Sequence, residues 1–402
     1  MDYAPIHLSP PDMSVRERRR LLDAFDSNWI APVGPELNEF ESRLRSIAGT
    51  EAAVATTSGT AALHLALQVL DVGPGDIVLV PSVTFVASAN VVRYVGAEPH
   101  FVDCDHRTGN IDPHELECAI EDLERSGRRP AAIITVDVYG ACANYREIEQ
   151  LCGRFGIPII EDAAEAIGAT HAGKPAGSFG TIGAFSFNGN KLITTGGGGA
   201  LVGPAELVER ARFLASQARE AAAHFEHGEI GYAYRLSNLS AALGSAQLER
   251  LDLLTSRTRA VHRRYVDELN HIDGVEVVSH DSEGRGNGWL TVVQLDQELQ
   301  PSPAAVCAAF AAVKIEARPA WKPMHMQPLY VDAPMTGGSA AEQHYAQGLC
   351  LPSGSSLSEQ QQSRVIDTFI DAVSTMGTTD LTTNIDLRTR WMTPTHTPAS
   401  AA

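Results

Sequence analysis

Short apolar runs alternate with longer segments of helical periodicity over the first 250 residues of the chain. Runs that are apolar on both faces are typical of buried strands in a parallel sheet. They occupy residues 52–55, 77–80, 98–102, 131–136, 157–160 and 183–187. Segments with apolar residues every three or four positions lie between and around them, as in helices that pack on a sheet. The alternation predicts an α/β fold with a large, mostly parallel α/β/α sandwich domain.

The pattern changes after residue 250. An amphipathic helix is predicted over residues 251–269, and short strands then mix with one further helix; these later elements are 275–278, 289–295, 304–313 and 315–318. This mixture predicts a smaller α+β C-terminal domain. We therefore expect a large domain over residues 12–250, a small domain over 251–376, and a flexible tail over 377–402, which is rich in Thr, Pro and Ala.

The composition limits the kinds of molecule that the chain is expected to bind. A formal net charge of -18 disfavours binding to nucleic acid or to an anionic membrane surface. The six cysteines show no CxxC pairing, which fits a reducing compartment. Because the chain has no signal-peptide pattern and no apolar run near the roughly 20 residues of a membrane span, we expect a cytoplasmic protein. Asp103, Asp105 and His106 are more typical of a capped turn than of a metal site, so no metal is predicted.

Two predicted strands end in residues that suggest chemistry. The run 157–160 ends in Glu161 and Asp162, and the run 183–187 is followed by neutral polar residues and then by Lys191. Ligands of open α/β sheets bind at the carboxyl ends of the strands. A lysine among apolar and neutral polar groups can lose its proton near neutral pH and form a Schiff base with an aldehyde.

Pyridoxal phosphate chemistry needs three groups: such a lysine, a carboxylate that keeps the pyridine nitrogen protonated, and a binding site for a phosphate dianion. Lys191 and Asp162 supply the first two. Taken singly, Asp162 also suits a helix N-cap and Lys191 an exposed loop. The third group favours the cofactor, because Ser58, Gly59 and Thr60 open a helical segment whose free backbone N–H groups suit a phosphate.

Three segments then resemble a known family: SGTAALHLAL at 58–67, EDAAEAIG at 161–168 and SFNGNKLITTGGGG at 186–199. They are similar to the DegT/StrS sugar-nucleotide aminotransferases, which are pyridoxal phosphate enzymes of fold type I. The resemblance covers nearly the whole chain. Within the family, residues 188–191, 217–238 and 321–325 look most like the bacillosamine branch, whose members aminate UDP-linked 4-keto-6-deoxy-N-acetylglucosamine.

The resemblance implies roles around the cofactor. Lys191 would carry the cofactor and move the proton, and Asp162 would face the pyridine nitrogen. Phe85 would stack on the ring, with simple core packing as the alternative. Ser186 matches a phosphate-binding serine, and Glu165 would lie near the cofactor's O3′, where several relatives have glutamine.

The resemblance also implies a partner and a substrate site. Asn238 matches a residue that reaches the cofactor phosphate of a second subunit, which predicts a homodimer with shared active sites; by sequence alone it also suits an N-cap. A local positive cluster suits a nucleotide diphosphate in an acidic protein. The substrate candidates are Asn28, Trp29, Arg235, Arg318, Trp321, Lys322 and His325.

We therefore expect transfer of an amino group from glutamate to C4 of a UDP-linked 4-keto-6-deoxy-N-acetylhexosamine. The alternatives left open are a GDP- or dTDP-linked keto-sugar, amination at C3, and a non-catalytic protein that binds pyridoxal phosphate to regulate. A nucleotide-dependent dehydrogenase is disfavoured because no GxGxxG follows the first predicted strand. A dehydratase of the family is disfavoured because those members replace the lysine with histidine.

Overall fold

A computed structural model of the protein describes residues 4–279, 283–296 and 301–375. The predicted tail, 377–402, lies outside the described residues. The strands are β1 Ala52–Thr56, β2 Ile77–Pro81, β3 Glu98–Val102, β4 Pro130–Val136, β5 Ile159–Asp162, β6 Thr170–His171, β7 Lys174–Pro175, β8 Ile182–Ser186, β9 Gly199–Gly203, β10 Val275–Val277, β11 Gly284–Arg285, β12 Thr291–Leu295, β13 Arg318–Pro319, β14 Met335–Thr336 and β15 Gly348–Leu351.

Helices flank these strands along most of the chain. They are α1 Val15–Asp26, α2 Pro35–Ala48, α3 Gly59–Val69, α4 Val86–Tyr94, α5 Pro113–Arg125, α6 Tyr145–Phe155, α7 Ala205–Ala215, α8 Asn238–Leu248, α9 Leu251–Leu269, α10 Pro303–Ala312, α11 Ala340–Gln347 and α12 Glu359–Thr375. Short 3₁₀ turns cover Val138–Gly140 and Met324–Met326. No helix of the described ranges is long and apolar enough to cross a membrane.

The main sheet has eight strands in the order β1-β9-β8-β5-β4-β2-β3-β14. Neighbouring strands run parallel from β8 to β14, and β9 is antiparallel to both β8 and β1. The strands of this sheet are largely buried, as their apolar runs require, and helices α2, α3, α4, α5 and α7 pack against them. The predicted α/β fold with a mostly parallel sheet is therefore confirmed.

A second apolar core lies around a four-stranded antiparallel sheet, β10-β12-β15-β13. Helices α9, α10 and α12 contribute Tyr265, Phe310 and Phe369 to it, all with no exposed surface. Ile6 also belongs to this core and pairs with Ile315. The predicted boundary at residue 250 stays a prediction, but the first residues of the chain pack with the C-terminal core.

Three details differ from the sequence pattern. The helix predicted over 205–222 ends at Ala215, because Gln217 and Ala218 take left-handed backbone conformations with φ of 66° and 48°. The strand predicted over 315–318 is reduced to β13 and one bridge at Ile315. Residues 335–336 form β14, which adds a parallel strand to the edge of the main sheet next to β3.

Asp105 caps a turn, as its position after β3 suggests, whereas Asp103 binds a distant helix. Oδ1 of Asp105 accepts from Thr108 N at 2.9 Å. Oδ1 of Asp103 accepts a hydrogen bond from Ala341 N at 2.8 Å, so this carboxylate lies at the start of α11, 238 positions along the chain. Both side chains thus bind backbone N–H groups.

Candidate active site

The candidate site lies where several strands of the main sheet end. Asp162 is the last residue of β5 and Ser186 the last of β8, which are neighbouring parallel strands. Ser186 pairs with Gly199 on the adjacent strand β9, and Gly199 also pairs with Thr56 at the end of β1 on its other side. The carboxyl ends of the parallel strands therefore bring the predicted catalytic and phosphate-binding segments to one edge.

The phosphate-binding segments touch each other directly. A Cβ added to Gly59 would lie 2.9 Å from Ser186 Cβ, and one added to Gly199 would lie 2.4 Å from Gly59 N. Glycine is thus required for this close approach. Ser58 caps α3 by accepting from Ala61 N at 3.0 Å, and the first backbone N–H groups of a helix have no partner within the helix. With Thr60 in its first turn, α3 therefore starts beside Ser186 with the geometry of an anion site.

Asp162 is buried and fully hydrogen-bonded. Its Oδ2 accepts from Ser88 Oγ at 2.7 Å and its Oδ1 from Ala164 N at 3.2 Å. Burial raises the pKa of Asp162, while these two bonds and the charge of Lys191 lower it. The Ala164 bond resembles the cap that the sequence left open, but the residues that follow Asp162 form turns and not a regular helix. Ser88, on α4, was missed by the sequence analysis.

Lys191 lies in the same cleft with two partners. Its Nζ is 3.0 Å from Glu165 Oε1 and lies 4.1 Å from the centre of the Trp289 ring. The side chain of Lys191 is 13% exposed and that of Glu165 only 3%, so the ion pair is largely shielded from water. Lys191 is therefore a shielded amine in a cleft and not an exposed loop residue. Trp289 lies in a segment that the sequence analysis treated only as a strand.

Glu165 is held on both of its oxygens. While Oε1 faces Lys191, Oε2 accepts from the backbone N of Tyr139 at 2.9 Å. Burial raises the pKa of Glu165 to about 7, against the lowering effect of Lys191 and of these hydrogen bonds. Burial therefore outweighs the attraction of the ion pair, and Glu165 can exchange a proton near neutral pH.

Aromatic side chains extend from Lys191 towards the surface. Trp289 and Trp321 have ring centres 6.4 Å apart, and Phe85 lies 6.5 Å beyond Trp321. The side chain of Phe85 is 62% exposed, so simple core packing does not describe it. Its predicted place against the cofactor ring stays a prediction. Trp321 also contacts Tyr139, whose hydroxyl accepts from Trp321 N at 3.1 Å.

The predicted positive cluster is partly neutralised. Arg318 is 63% exposed and pairs with Glu316 at 3.0 Å. His325 lies between Ser82 Oγ, 2.6 Å from its Nδ1, and a carboxylate oxygen of Glu342, 3.3 Å from its Nε2. Lys322 is half-buried in the same segment. The substrate roles of these residues stay predictions, and the Ser82 contact of His325 shows that it also joins the 321–325 segment to the residue that follows β2.

The loop that carries Asn28 and Trp29 is joined to Asn238. Asn28 takes a left-handed conformation with φ of 63°, and the side chain of Trp29 is 49% exposed. Asn238 is fully buried; its Nδ2 donates to Trp29 O at 2.8 Å and its Oδ1 accepts from Leu37 N at 3.0 Å. Ser237, not Asn238, caps α8. The contacts of Asn238 are thus within its own chain, and its predicted reach to a partner's cofactor phosphate stays a prediction.

Arg235 lies beside β1 and pairs with an acid. Its Nη2 is 3.2 Å from Oε1 of Glu41, and Glu41 also binds Arg212 at 2.7 Å. Its Nε has no hydrogen-bond partner among the described residues. Arg235 therefore forms part of a largely buried charge network next to Thr56, and its substrate role stays a prediction.

The residues present fit pyridoxal phosphate. The fit rests on the start of α3, whose first backbone N–H groups lie beside Ser186 because Gly59 and Gly199 let the backbones approach closely. At the same edge, Asp162 offers a buried carboxylate and Lys191 a primary amine. Within the described ranges no group of three or more potential metal ligands lies together.

Comparison with known proteins agrees with this chemistry. Residues 11–370 match the model of the DegT/DnrJ/EryC1/StrS aminotransferase family. A Bacillus subtilis protein named EpsN is 48% identical over 95% of this chain and 100% of its own. GDP-perosamine synthase of Caulobacter vibrioides is 37% identical over 91% of this chain and 97% of its own.

A solved structure shows the same fold. The crystal structure of a DegT DnrJ EryC1 StrS aminotransferase from Brucella abortus superposes with a TM-score of 0.84. It is 31% identical in sequence, and the match covers 89% of this chain and 95% of that chain.

Proposed function

The chain belongs to the DegT/DnrJ/EryC1/StrS aminotransferase family, and we propose that Lys191 is the lysine that carries its cofactor. The protein is a pyridoxal phosphate-dependent sugar aminotransferase. The observation that carries our proposal is the placement of Lys191 Nζ, 3.0 Å from Glu165, at the strand edge where Asp162 and the start of α3 also lie.

Bound pyridoxal phosphate supplies an electron sink that makes the α-proton of an amino acid acidic. Asp162 keeps the pyridine nitrogen protonated, because its Ser88 and Ala164 bonds stabilise the carboxylate form. Lys191 Nζ accepts and returns the proton as the amino group moves from donor to acceptor. Glu165 holds Nζ in position during this exchange. Ser58, Gly59, Thr60 and Ser186 bind the phosphate.

For the acceptor we propose a UDP-linked 4-keto-6-deoxy-N-acetylhexosamine, aminated at C4 with glutamate as donor. Support comes from the resemblance of residues 217–238 and 321–325 to the bacillosamine branch. A GDP-linked keto-sugar is the second candidate, because GDP-perosamine synthases are among the relatives, at 37% and 34% identity. Asn28, Trp29, Arg235, Arg318, Trp321, Lys322 and His325 remain the proposed substrate contacts.

Borohydride reduction of the holoenzyme followed by peptide mapping tests the cofactor lysine. The label is expected on Lys191, and Lys191→Ala should bind the cofactor only reversibly. Lys174→Ala is a matched control, because Lys174 is 58% exposed and lies on β7. A label on another lysine would overturn the proposed role of Lys191.

The acceptor is tested separately by mass spectrometry of products. The enzyme is offered glutamate with UDP-, GDP- and dTDP-linked 4-keto sugars, one at a time. We expect amination of the UDP compound, and the position of the new amine is read by fragmentation. Turnover of the GDP compound with the UDP compound inert would replace the first candidate by the second and leave the role of Lys191 unchanged.

We further propose a cytoplasmic homodimer with shared active sites. Large apolar side chains are exposed on the single chain near the site and on the neighbouring 216–233 hairpin; they include Phe85 at 62%, Phe225 at 77% and Ile230 at 82%. Large apolar side chains exposed on one hairpin, such as Phe225 and Ile230, suit a subunit interface. Light scattering should give twice the mass of the chain, and Phe225→Asp with Ile230→Asp should shift it towards the monomer.

A further inference from the structure

One buried amide joins three segments of the chain next to the site. Asn287 lies between β11 and β12 and has no exposed surface. Its Nδ2 donates to Glu165 O at 2.7 Å and to Ile167 O at 3.0 Å, and its Oδ1 accepts from Trp289 N at 2.8 Å. Its backbone N donates to Gly140 O at 2.9 Å. Both amide hydrogens and the amide oxygen are therefore used.

The partners of Asn287 are the residues that face the reactive amine. Glu165 accepts a hydrogen bond from the Asn287 amide at its backbone O, and Trp289 donates one from its backbone N. The Glu165 carboxylate lies 3.0 Å from Lys191 Nζ, and the centre of the Trp289 ring lies 4.1 Å from it. Trp289 also donates from Nε1 to Asn190 O at 2.7 Å, one residue before the lysine. The amide thus fixes the backbone from which both neighbours of Nζ project.

The surrounding residues are shaped for this amide. A Cβ at Gly140, where φ is +91°, would lie 2.0 Å from Asn287 Oδ1, so only glycine leaves it room. Thr258 on α9 donates from Oγ1 to Asn287 O at 2.6 Å. Aspartate would lack the two donors, and glutamine would carry one methylene too many for a site without exposed surface.

We propose that Asn287 is a positioning residue for amino transfer, which holds Glu165 and Trp289 in register around Lys191 Nζ. It touches neither reacting atom itself. This inference rests on the proposed role of Lys191 as the cofactor lysine. Misplacement of a group by about 1 Å can cost on the order of a hundredfold in rate, so loosening both neighbours should affect Nζ more than it affects the fold.

The test compares Asn287→Ala with Asn110→Ala. Asn110 is also a buried amide, 5% exposed. It donates to Ala141 O and Cys142 O, both at 3.2 Å, and accepts from Val138 N at 3.0 Å, but it bonds to neither Glu165 nor Trp289. Three quantities are measured: the melting temperature, the rate at which pyridoxal phosphate associates covalently with the apoprotein, and the pH midpoint of the bound cofactor's absorbance change.

We expect the melting temperature to fall by a similar amount in both variants. Asn287→Ala alone should slow covalent association by about tenfold and move the absorbance midpoint by about half a pH unit or more. In a Trp289→Phe background the same substitution should have a smaller effect, because residues that act together are not additive. Should Asn287→Ala fail to fold, Asn287→Ser gives the same comparison with a smaller cavity.

An unchanged rate and midpoint in Asn287→Ala or Asn287→Ser would overturn the inference. Equal changes of rate and midpoint in Asn110→Ala would also overturn it, because they would show that loss of any buried amide loosens the protein. Peptide mapping of the reduced wild-type enzyme separates the two proposals: a label on Lys191 with no Asn287 effect removes only the inference, whereas a label elsewhere removes the premise as well.

Discussion

Ser88 Oγ donates a 2.7 Å hydrogen bond to Oδ2 of Asp162, although the two residues are 74 positions apart. Both side chains are buried. Burial alone raises the pKa of Asp162, and the Ser88 bond is the largest of the effects that lower it. The serine of α4 therefore helps to keep charged the carboxylate that we propose faces the pyridine nitrogen.

Ser88→Ala should raise the pKa of Asp162 further. Asp162 would then become protonated at a higher pH, so the acid limb of the pH profile of turnover should move upward. A hydrogen bond to a charged group is worth about 1.5–3 kcal/mol, which corresponds to a shift of about one pH unit or more. Ser88→Thr retains the hydroxyl and is the control; an acid limb that stays in place in Ser88→Ala would refute the role of this bond.

Glu165→Gln should change how cofactor association depends on pH. The pKa of Glu165 is raised to about 7, so above that pH a charged carboxylate lies 3.0 Å from Lys191 Nζ and must release it before Nζ can attack an aldehyde. Glutamine cannot ionise. The variant should therefore associate faster than the wild type well above pH 7, and the two rates should converge at lower pH. Stopped-flow absorbance measures both, and parallel profiles would contradict this assignment.

Asp137 and Glu161 form a buried carboxyl pair behind Asp162. Oδ1 of Asp137 accepts from Tyr145 Oη at 2.8 Å, whereas its Oδ2 has no partner among the described hydrogen bonds. Both oxygens of Glu161 accept backbone bonds, from Gly177 N and Phe179 N. Burial raises the pKa of both carboxyls, and the charge of Asp137 raises the pKa of Glu161 further, so the pair still shares a proton at pH values where free carboxyls have lost theirs.

This shared proton predicts a pH-dependent stability. Between about pH 4 and about 7 the folded pair retains a proton that the unfolded chain has lost, so the free energy of unfolding should fall as pH rises through this window. Asp137→Asn donates an amide hydrogen instead and should reduce the slope by up to about 1.4 kcal/mol per pH unit. Urea unfolding at several pH values measures it, with exposed Asp26→Asn as control; equal slopes would disprove the shared proton.

Gly59→Ala should weaken phosphate binding selectively. The new methyl group would lie 2.9 Å from Ser186 Cβ and would push the start of α3 away from β8. Affinity for pyridoxal phosphate should fall by about tenfold or more, whereas affinity for pyridoxal, which lacks the phosphate, should change little. Gly189→Ala is the control, since no atom lies within 4 Å of its added Cβ. Equal losses for both ligands would argue against the phosphate site.

Asn238→Ala should destabilise the loop that leads from Trp29 to Leu37. The substitution leaves the Leu37 N–H and the Trp29 carbonyl without their partner, which should lower the free energy of unfolding by about 1–3 kcal/mol. Urea unfolding measures this loss, with Asn38→Ala at an exposed position as the control. Mixed dimers of Lys191→Ala and Asn238→Ala subunits test the expected reach to a partner. Recovery of activity would support that reach, and its absence in verified mixed dimers would assign Asn238 to its own chain alone.

The strands, the cofactor and the enzyme class could be predicted because their signals are local. Asp162 and Lys191 follow strand ends, and Ser58 and Gly59 open a helix, so a few neighbouring residues suffice to recognise them. Ser88, Trp289 and Asn287 could not be found in this way, because an ordinary serine, tryptophan or asparagine gains its role only from contacts distant in sequence. Likewise, nothing local to Arg235 indicates that Glu41 neutralises it.

Strand β14 has a consequence for synthesis on the ribosome. Because residues 335–336 cover the open edge of β3, and Ile6 pairs with Ile315, the nascent chain cannot complete either core until its last quarter has emerged. A fragment that stops near residue 250 would leave β3 with an unpaired edge, which invites aggregation. A pause in translation shortly before residue 335 should therefore prolong the exposure of the β3 edge.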